Sequence, residues 1–171
     1  HDVKFQALKS RIEDIINEKN KKIIVYGISP ETLNMLHEEF KEYKPLIIHG
    51  KLGRINRHEI IEKFNTDPKH KLIILSALTS SSGINLNEGG NYILVYELPS
   101  DSTHYFQLKS RTDRASSTKD SIVETLIIDK TIEVGNFERT VRRMDLNNKL
   151  DKEIPLHELK RLLNGEEFEI F

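Results

Sequence analysis

Two short stretches near the middle of this 171-residue chain combine residue types that bind anions. The first runs Ser76-Ala77-Leu78-Thr79-Ser80-Ser81-Ser82-Gly83-Ile84-Asn85-Leu86. Its Gly83 lets the backbone approach a ligand closely, and the Asn85 amide offers both donor and acceptor. The hydroxyls and backbone amides of Ser80, Ser81 and Ser82 suit phosphate oxygens of a nucleic-acid backbone, which are held without sequence readout. The second stretch, Gln107-x-x-Ser110-Arg111-x-x-Arg114, sets two guanidinium groups on one helical face, where both reach a single anion. In phosphoryl transfer, charge spreads over the migrating group and a guanidinium in a dry cleft neutralises it. Arg114 is the first candidate for that task, with Arg111 clamping the same phosphates or holding Arg114 in place. Each feature also has a plainer reading: an exposed arginine face of a helix, a turn at Gly83 and Asn85, a polar serine loop.

Presenting these residues requires a scaffold, and the pattern around them is one of short apolar runs alternating with amphipathic stretches. Strands are expected at Ile23–Tyr26, Leu46–Ile48, Leu72–Leu75, Tyr92–Val95 and Ile122–Ile128, each too apolar to leave one face in water. Helices are expected at Phe5–Lys19, Glu31–Phe40, Arg57–Phe64, His104–Arg114 and Glu133–Asp145. The fold class is therefore α/β, a mostly parallel sheet with helices on both faces. Ser29 and Pro30 suit the cap and first position of the second helix, and Asn65-Thr66-Asp67-Pro68 is a break. After Asp145 a polar stretch and a last helical pattern, Leu156–Leu163, read as a C-terminal appendage.

Composition narrows the classes. Hydrophobic residues at 37% and charged residues at 31% are ordinary for a globular chain, and no apolar run is long enough to cross a bilayer. A formal net charge of -1 means that any nucleic-acid contact is a local patch. Gly50 and Lys51, just after an expected strand, and the neighbouring Arg54 and Arg57 are candidates for such a patch, Lys51 before Arg57. Against this, Arg57 suits a helix start paired with Glu62 or Asp67. There is no cysteine, and the seven histidines show no metal-ligand spacing, so no metal site is expected. Nothing reads as a secretory leader, and a cytoplasmic setting, with nucleoid or viral and mobile-element contexts included, is the default. The chain holds no Gly-x-x-x-x-Gly-Lys-Ser/Thr loop and no Gly-x-Gly-x-x-Gly after a strand, which counts against a self-sufficient nucleotide hydrolase and against a dinucleotide enzyme.

From Lys21 to about Asp145 the chain resembles the C-terminal RecA-like (helicase C) domain of a Swi/Snf-like superfamily-two helicase or translocase. Four ordered blocks carry the resemblance: Ile23-Ile24-Val25-Tyr26; His49-Gly50 with Arg57, Phe64-Asn65 and Asp67-Pro68; Ser76 to Leu86; and Gln107 to Arg114. Thr131-Ile132-Glu133 follows as in that family. The chain departs from it at Leu78, where the family usually has Lys or Arg, at Ser80-Ser81 and Ser110 in place of glycines, and at Glu97-Leu98-Pro99-Ser100-Asp101-Ser102, which lacks the usual tryptophan; the branch is a divergent one. The resemblance implies an ATP-dependent motor lobe. Arg111 and Arg114 would be its catalytic arginines, Gln107, Gly83 and Asn85 would contact ATP, and Gly50, Lys51, Ser80, Ser81 and Ser82 would grip nucleic acid.

ATP and Mg2+ would be bound mainly by an N-terminal RecA-like lobe of the same protein, leaving this fragment inactive alone and free of cofactor. The track would be DNA, with RNA left open, and no membrane is involved. Expected organisation is a packing helix at 1–20, the RecA-like domain at 21–145 and the appendage at 146–171. The chain opens inside a helical pattern without an initiator methionine, so a longer parent protein is expected. The alternative is a catalytically dead domain kept as a nucleic-acid or protein binding module.

Overall fold

The computed structural model describes residues 3–50, 52–77, 92–99, 103–105 and 122–150. The chain begins with α1 (Val3–Glu13), whose Phe5, Leu8 and Ile12 recur at three- and four-residue spacing and are buried. A wider π turn, Asp14–Glu18, buries Ile15 and Ile16, and Asn20 in the left-handed region (φ 51°) turns the chain into the sheet. There follow β1 (Ile23–Gly27), α2 (Pro30–Glu39), a short 3-10 turn (Lys41–Tyr43), β2 (Leu46–Ile48), α3 (Arg54–Thr66), β3 (Leu72–Ser76), β4 (Tyr92–Val95), β5 (Ile122–Thr125) and α4 (Ile132–Leu150).

All described pairings are parallel, in the order β2-β3-β1-β4-β5. Every residue of β1 and β3 is buried, as expected for strands sandwiched between layers. Alternation splits the core in two. Ile23, Val25, Leu72, Ile74 and Leu94 pack with Phe5, Leu8 and Ile12 of α1 and Leu33 and Leu36 of α2 on one face. On the other, Ile24, Tyr26, Ile73, Leu75, Ile93 and Val95 pack with Phe64 of α3 and with Phe137 and Met144 of α4.

The cap of α2 forms as expected. Ser29 is extended (φ -78°, ψ 143°) and its hydroxyl accepts the Thr32 N–H at 3.0 Å, with Pro30 opening the helix. Several boundaries differ from expectation, these three among them. β5 stops at Thr125 rather than Ile128: Leu126 N–H makes the last bond to β4, at Val95 O, and Ile128 N–H turns to the Glu133 carboxylate instead. α3 starts at Arg54, before Arg57, because Gly53 in an extended conformation (φ -63°, ψ 159°) serves as its cap. α4 continues past Asp145 through Leu150 without a break.

Candidate functional site

Because the strands are parallel, the loops that follow them all leave from one edge of the sheet. β1 sends its connection to the face carrying α2, whereas Tyr105, downstream of β4, packs in the opposite core against Phe137, edge-on at 6.3 Å. Tyr105 also shares a 2.9 Å hydrogen bond with the Thr125 hydroxyl. Neighbouring strands whose connections part to opposite faces leave a crevice at their carboxyl ends, the usual ligand position in open α/β sheets.

That crevice holds a carboxylate. Glu97, just after β4, accepts the N–H of Ile28 at 2.6 Å and of Ser29 at 3.1 Å on Oε2, and the Thr32 hydroxyl at 2.7 Å on Oε1. The Ser29 hydroxyl donates in turn to Thr32 Oγ1 at 2.9 Å, so a short chain of hydroxyls ends on Glu97. The N–H groups of Tyr96 and Glu97 both reach Tyr26 O, at 2.9 and 3.4 Å, holding the exit of β4 against β1. Gly27 makes room for this junction. A Cβ there would lie 3.0 Å from Leu33 Cδ2 and 3.6 Å from Glu97 Oε2.

Further along the same edge, β2 leads into the loop carrying Gly50, which is exposed. Arg57 folds back from α3 onto this loop, donating from Nε to Leu52 O at 2.9 Å and from Nη2 to Gly50 O at 3.2 Å. Its described bonds thus brace the loop, while Asp67 accepts the Lys69 N–H at 2.9 Å and faces His70. The first turn of α3 has no side-chain cap and no acidic residue. The amides and dipole of such a helix start favour an anion next to Gly50.

Of the site residues expected from sequence, Gly50 is described. Lys51, Ser80, Ser81, Ser82, Gly83, Asn85, Gln107, Arg111 and Arg114 lie outside the described residues. The segment that carries Gln107, Arg111 and Arg114 leaves the sheet at the carboxyl end of β4. Among the described residues no group of three His, Asp or Glu side chains converges as a metal site.

Other family-like blocks prove to be architectural. Phe64-Asn65-x-Asp67 sits at the opposite, amino edge, where the Lys22 ammonium donates to Phe64 O, and to Asn65 O and Asp67 O at 3.2 Å each, lying 5.2 Å from the Phe64 ring centre. Burial pushes the Lys22 ammonium below the ordinary lysine range. Thr131-Ile132-Glu133 opens α4: the Thr131 hydroxyl donates to Ile128 O at 2.7 Å, and Glu133 receives the Ile128 N–H at 2.9 Å and Lys4 of α1 at 2.5 Å. Glu97 entered the sequence reasoning as part of the stretch that lacks the family's tryptophan and was given no role of its own. Its signal was a lone acid directly behind an apolar strand.

A five-stranded parallel sheet covered on both faces, with a switch point between β1 and β4, is the RecA-like α/β architecture of nucleotide-driven motors. The chain belongs to the helicase conserved C-terminal domain family, which matches residues 4–116, a span that includes the serine-glycine loop and both arginines. Among its relatives, the ATP-dependent helicase FUN30 of Saccharomyces cerevisiae is 28% identical over 132 residues, covering 76% of this chain and 12% of that protein. The SWI/SNF-related matrix-associated actin-dependent regulator of chromatin subfamily A containing DEAD/H box 1 of Mus musculus is 25% identical over 145 residues, covering 84% of this chain and 14% of that protein. The crystal structure of the C-terminal part of the Fun30 ATPase domain matches with a TM-score of 0.73 at 27% identity, over 79% of this chain and 44% of that one. The chain thus spans about an eighth of the length of FUN30.

Proposed function

We propose that this chain is the second motor lobe of an ATP-dependent DNA translocase, supplying Arg111 and Arg114 to a nucleotide held mainly by a first lobe. The observation that carries this reading is the departure of the arginine-bearing segment from the carboxyl end of β4, beside the switch point, within a helicase C-terminal domain. Gln107, Gly83 and Asn85 would contact the nucleotide on this lobe, and Mg2+ would sit with the first. ATP supplies the free energy, and this chain's part is to bring guanidinium charge to the cleft when the lobes close. Gly50, Lys51 and Ser80 to Ser82 form the grip on the DNA backbone, and the uncapped start of α3 adds amide dipoles to it. Alone, the lobe is without the first lobe's main hold on ATP and does not hydrolyse it.

The test is DNA-stimulated ATP hydrolysis by the full-length protein and its Arg114→Ala variant. Loss on the order of 10³-fold is expected for the variant. An active protein indifferent to the substitution refutes the arginine assignment. A full-length protein without DNA-stimulated hydrolysis that still binds DNA leaves the second reading, a binding module, which the serines at positions 80, 81 and 110 favour.

A further inference from the structure

We infer that Glu97 is a positioning residue, fastening the start of the arginine-bearing segment to the β1–α2 loop. This rests on the motor function proposed above. The plain alternative is that Glu97 caps α2, and the hydrogen bonds speak against it. Ser29 already fills that role, its hydroxyl accepting the Thr32 N–H at 3.0 Å. The two amides that Glu97 accepts, Ile28 and Ser29, precede the first helical residue, Pro30. Glu97 therefore joins two loops that leave adjacent strands toward opposite faces. It fills the switch-point crevice with this chain's own carboxylate, where a ligand anion would otherwise meet the same amides.

The junction is fastened from several directions. Backbone bonds tie Tyr96 and Glu97 to Tyr26 O, and the Tyr96 ring is covered by the Lys4 ammonium at 5.3 Å. Beyond it, Pro99 and Tyr105 are buried. The path from Glu97 to Tyr105 is thus pinned at both ends, and the chain reaches Gln107 two residues later. A carboxylate receiving two amides and a hydroxyl is a charge-assisted anchor, stiffer than a neutral one. The hydroxyl chain, Ser29 to Thr32 to Glu97, requires an acceptor at Oε1, and the Ile28 and Ser29 amides require another at Oε2. An amide side chain supplies one.

The experiment uses the full-length protein. Glu97→Ala is expected to lower kcat for DNA-stimulated ATP hydrolysis about 10²-fold, the effect of shifting a catalytic group by about 1 Å, with KM for ATP and affinity for DNA within about twofold of the parent. Thr32→Val, which removes one of the three contacts and leaves the backbone untouched, is expected to lower kcat about tenfold. It serves where the alanine variant does not fold. In a background with both Arg111→Ala and Arg114→Ala, Glu97→Ala is expected to add nothing, because its effect runs through the arginines. Loss of DNA affinity or a raised KM with kcat intact, or a further drop on top of the Arg111→Ala and Arg114→Ala pair, overturns the inference. An active protein indifferent to both Glu97→Ala and Thr32→Val removes the inference alone. A parent without DNA-stimulated hydrolysis removes the motor reading and this inference with it.

Discussion

Replacing Glu133 by alanine probes how α4 is fastened to the rest of the lobe. The Lys4 side chain is 7% exposed and its ammonium lies 2.5 Å from Glu133 Oε1, while the Glu133 side chain is 32% exposed. The two partners are therefore unequal. Glu133→Ala leaves a cation out of water without its carboxylate and takes the acceptor from Ile128 N–H, a loss on the order of 3 kcal/mol. Lys4→Met keeps an apolar stem against the core and leaves a carboxylate that water reaches and the Ile128 amide still holds, so the loss is about 1 kcal/mol. In the double variant the buried cation is gone, and about 2 kcal/mol is lost, less than the sum of the singles. One kcal/mol is roughly 3 °C of melting temperature for a chain of this size. Thermal melts followed by circular dichroism should then fall by about 9 °C for Glu133→Ala, 3 °C for Lys4→Met and 6 °C for the double variant. Equal single effects that simply add would show that the pair behaves as an ordinary surface contact, and the asymmetric-burial argument would fail.

Two further outcomes follow from the amino edge of the sheet and its carboxylates. Lys22→Met removes the donor shared by the Phe64, Asn65 and Asp67 carbonyls at the end of α3, and is expected to cost about 2 kcal/mol in urea unfolding; an unchanged midpoint contradicts the clamp. Asp67 is held below the usual carboxylate range, first by the Lys69 N–H, and Asp14 likewise, first by the Lys19 ammonium. Their folded pKa values lie under the unfolded value of about 4, so their contribution is present above that pH and is lost as pH falls through the lowered values. Urea midpoints measured from pH 7 downward should show this loss below about pH 4, and Asp67→Asn should flatten part of it. An acid limb unaltered by Asp67→Asn would remove Asp67 from the account.

Much of the scaffold was readable from the chain because its signals are local. The β-branched apolar runs at Ile23, Leu72 and Tyr92 mark strands buried on both faces, and the spacing of Phe5, Leu8 and Ile12 marks the stripe that α1 lays on the sheet. The Ser29-Pro30 start of α2 depends on atoms three residues apart, so sequence foresaw it. The ordered blocks from Ile23 to Arg114 pointed to a helicase C-terminal domain, and the family match bears that out.

The meaning of particular polar residues was decided by contacts across the fold. Glu133 meets Lys4 across 129 positions, Glu97 meets Ile28 across 69, and Lys22 meets Phe64 across 42. No local pattern encodes such partners, because they depend on which strands neighbour each other and on which face each connection takes. Arg57 illustrates the limit: its position suited either a phosphate contact or a carboxylate pair, and the described bonds turn it onto the carbonyls of Gly50 and Leu52. Hydrophobic period survives in one dimension, whereas the pairing of charges exists only once the sheet has brought distant segments to a shared edge.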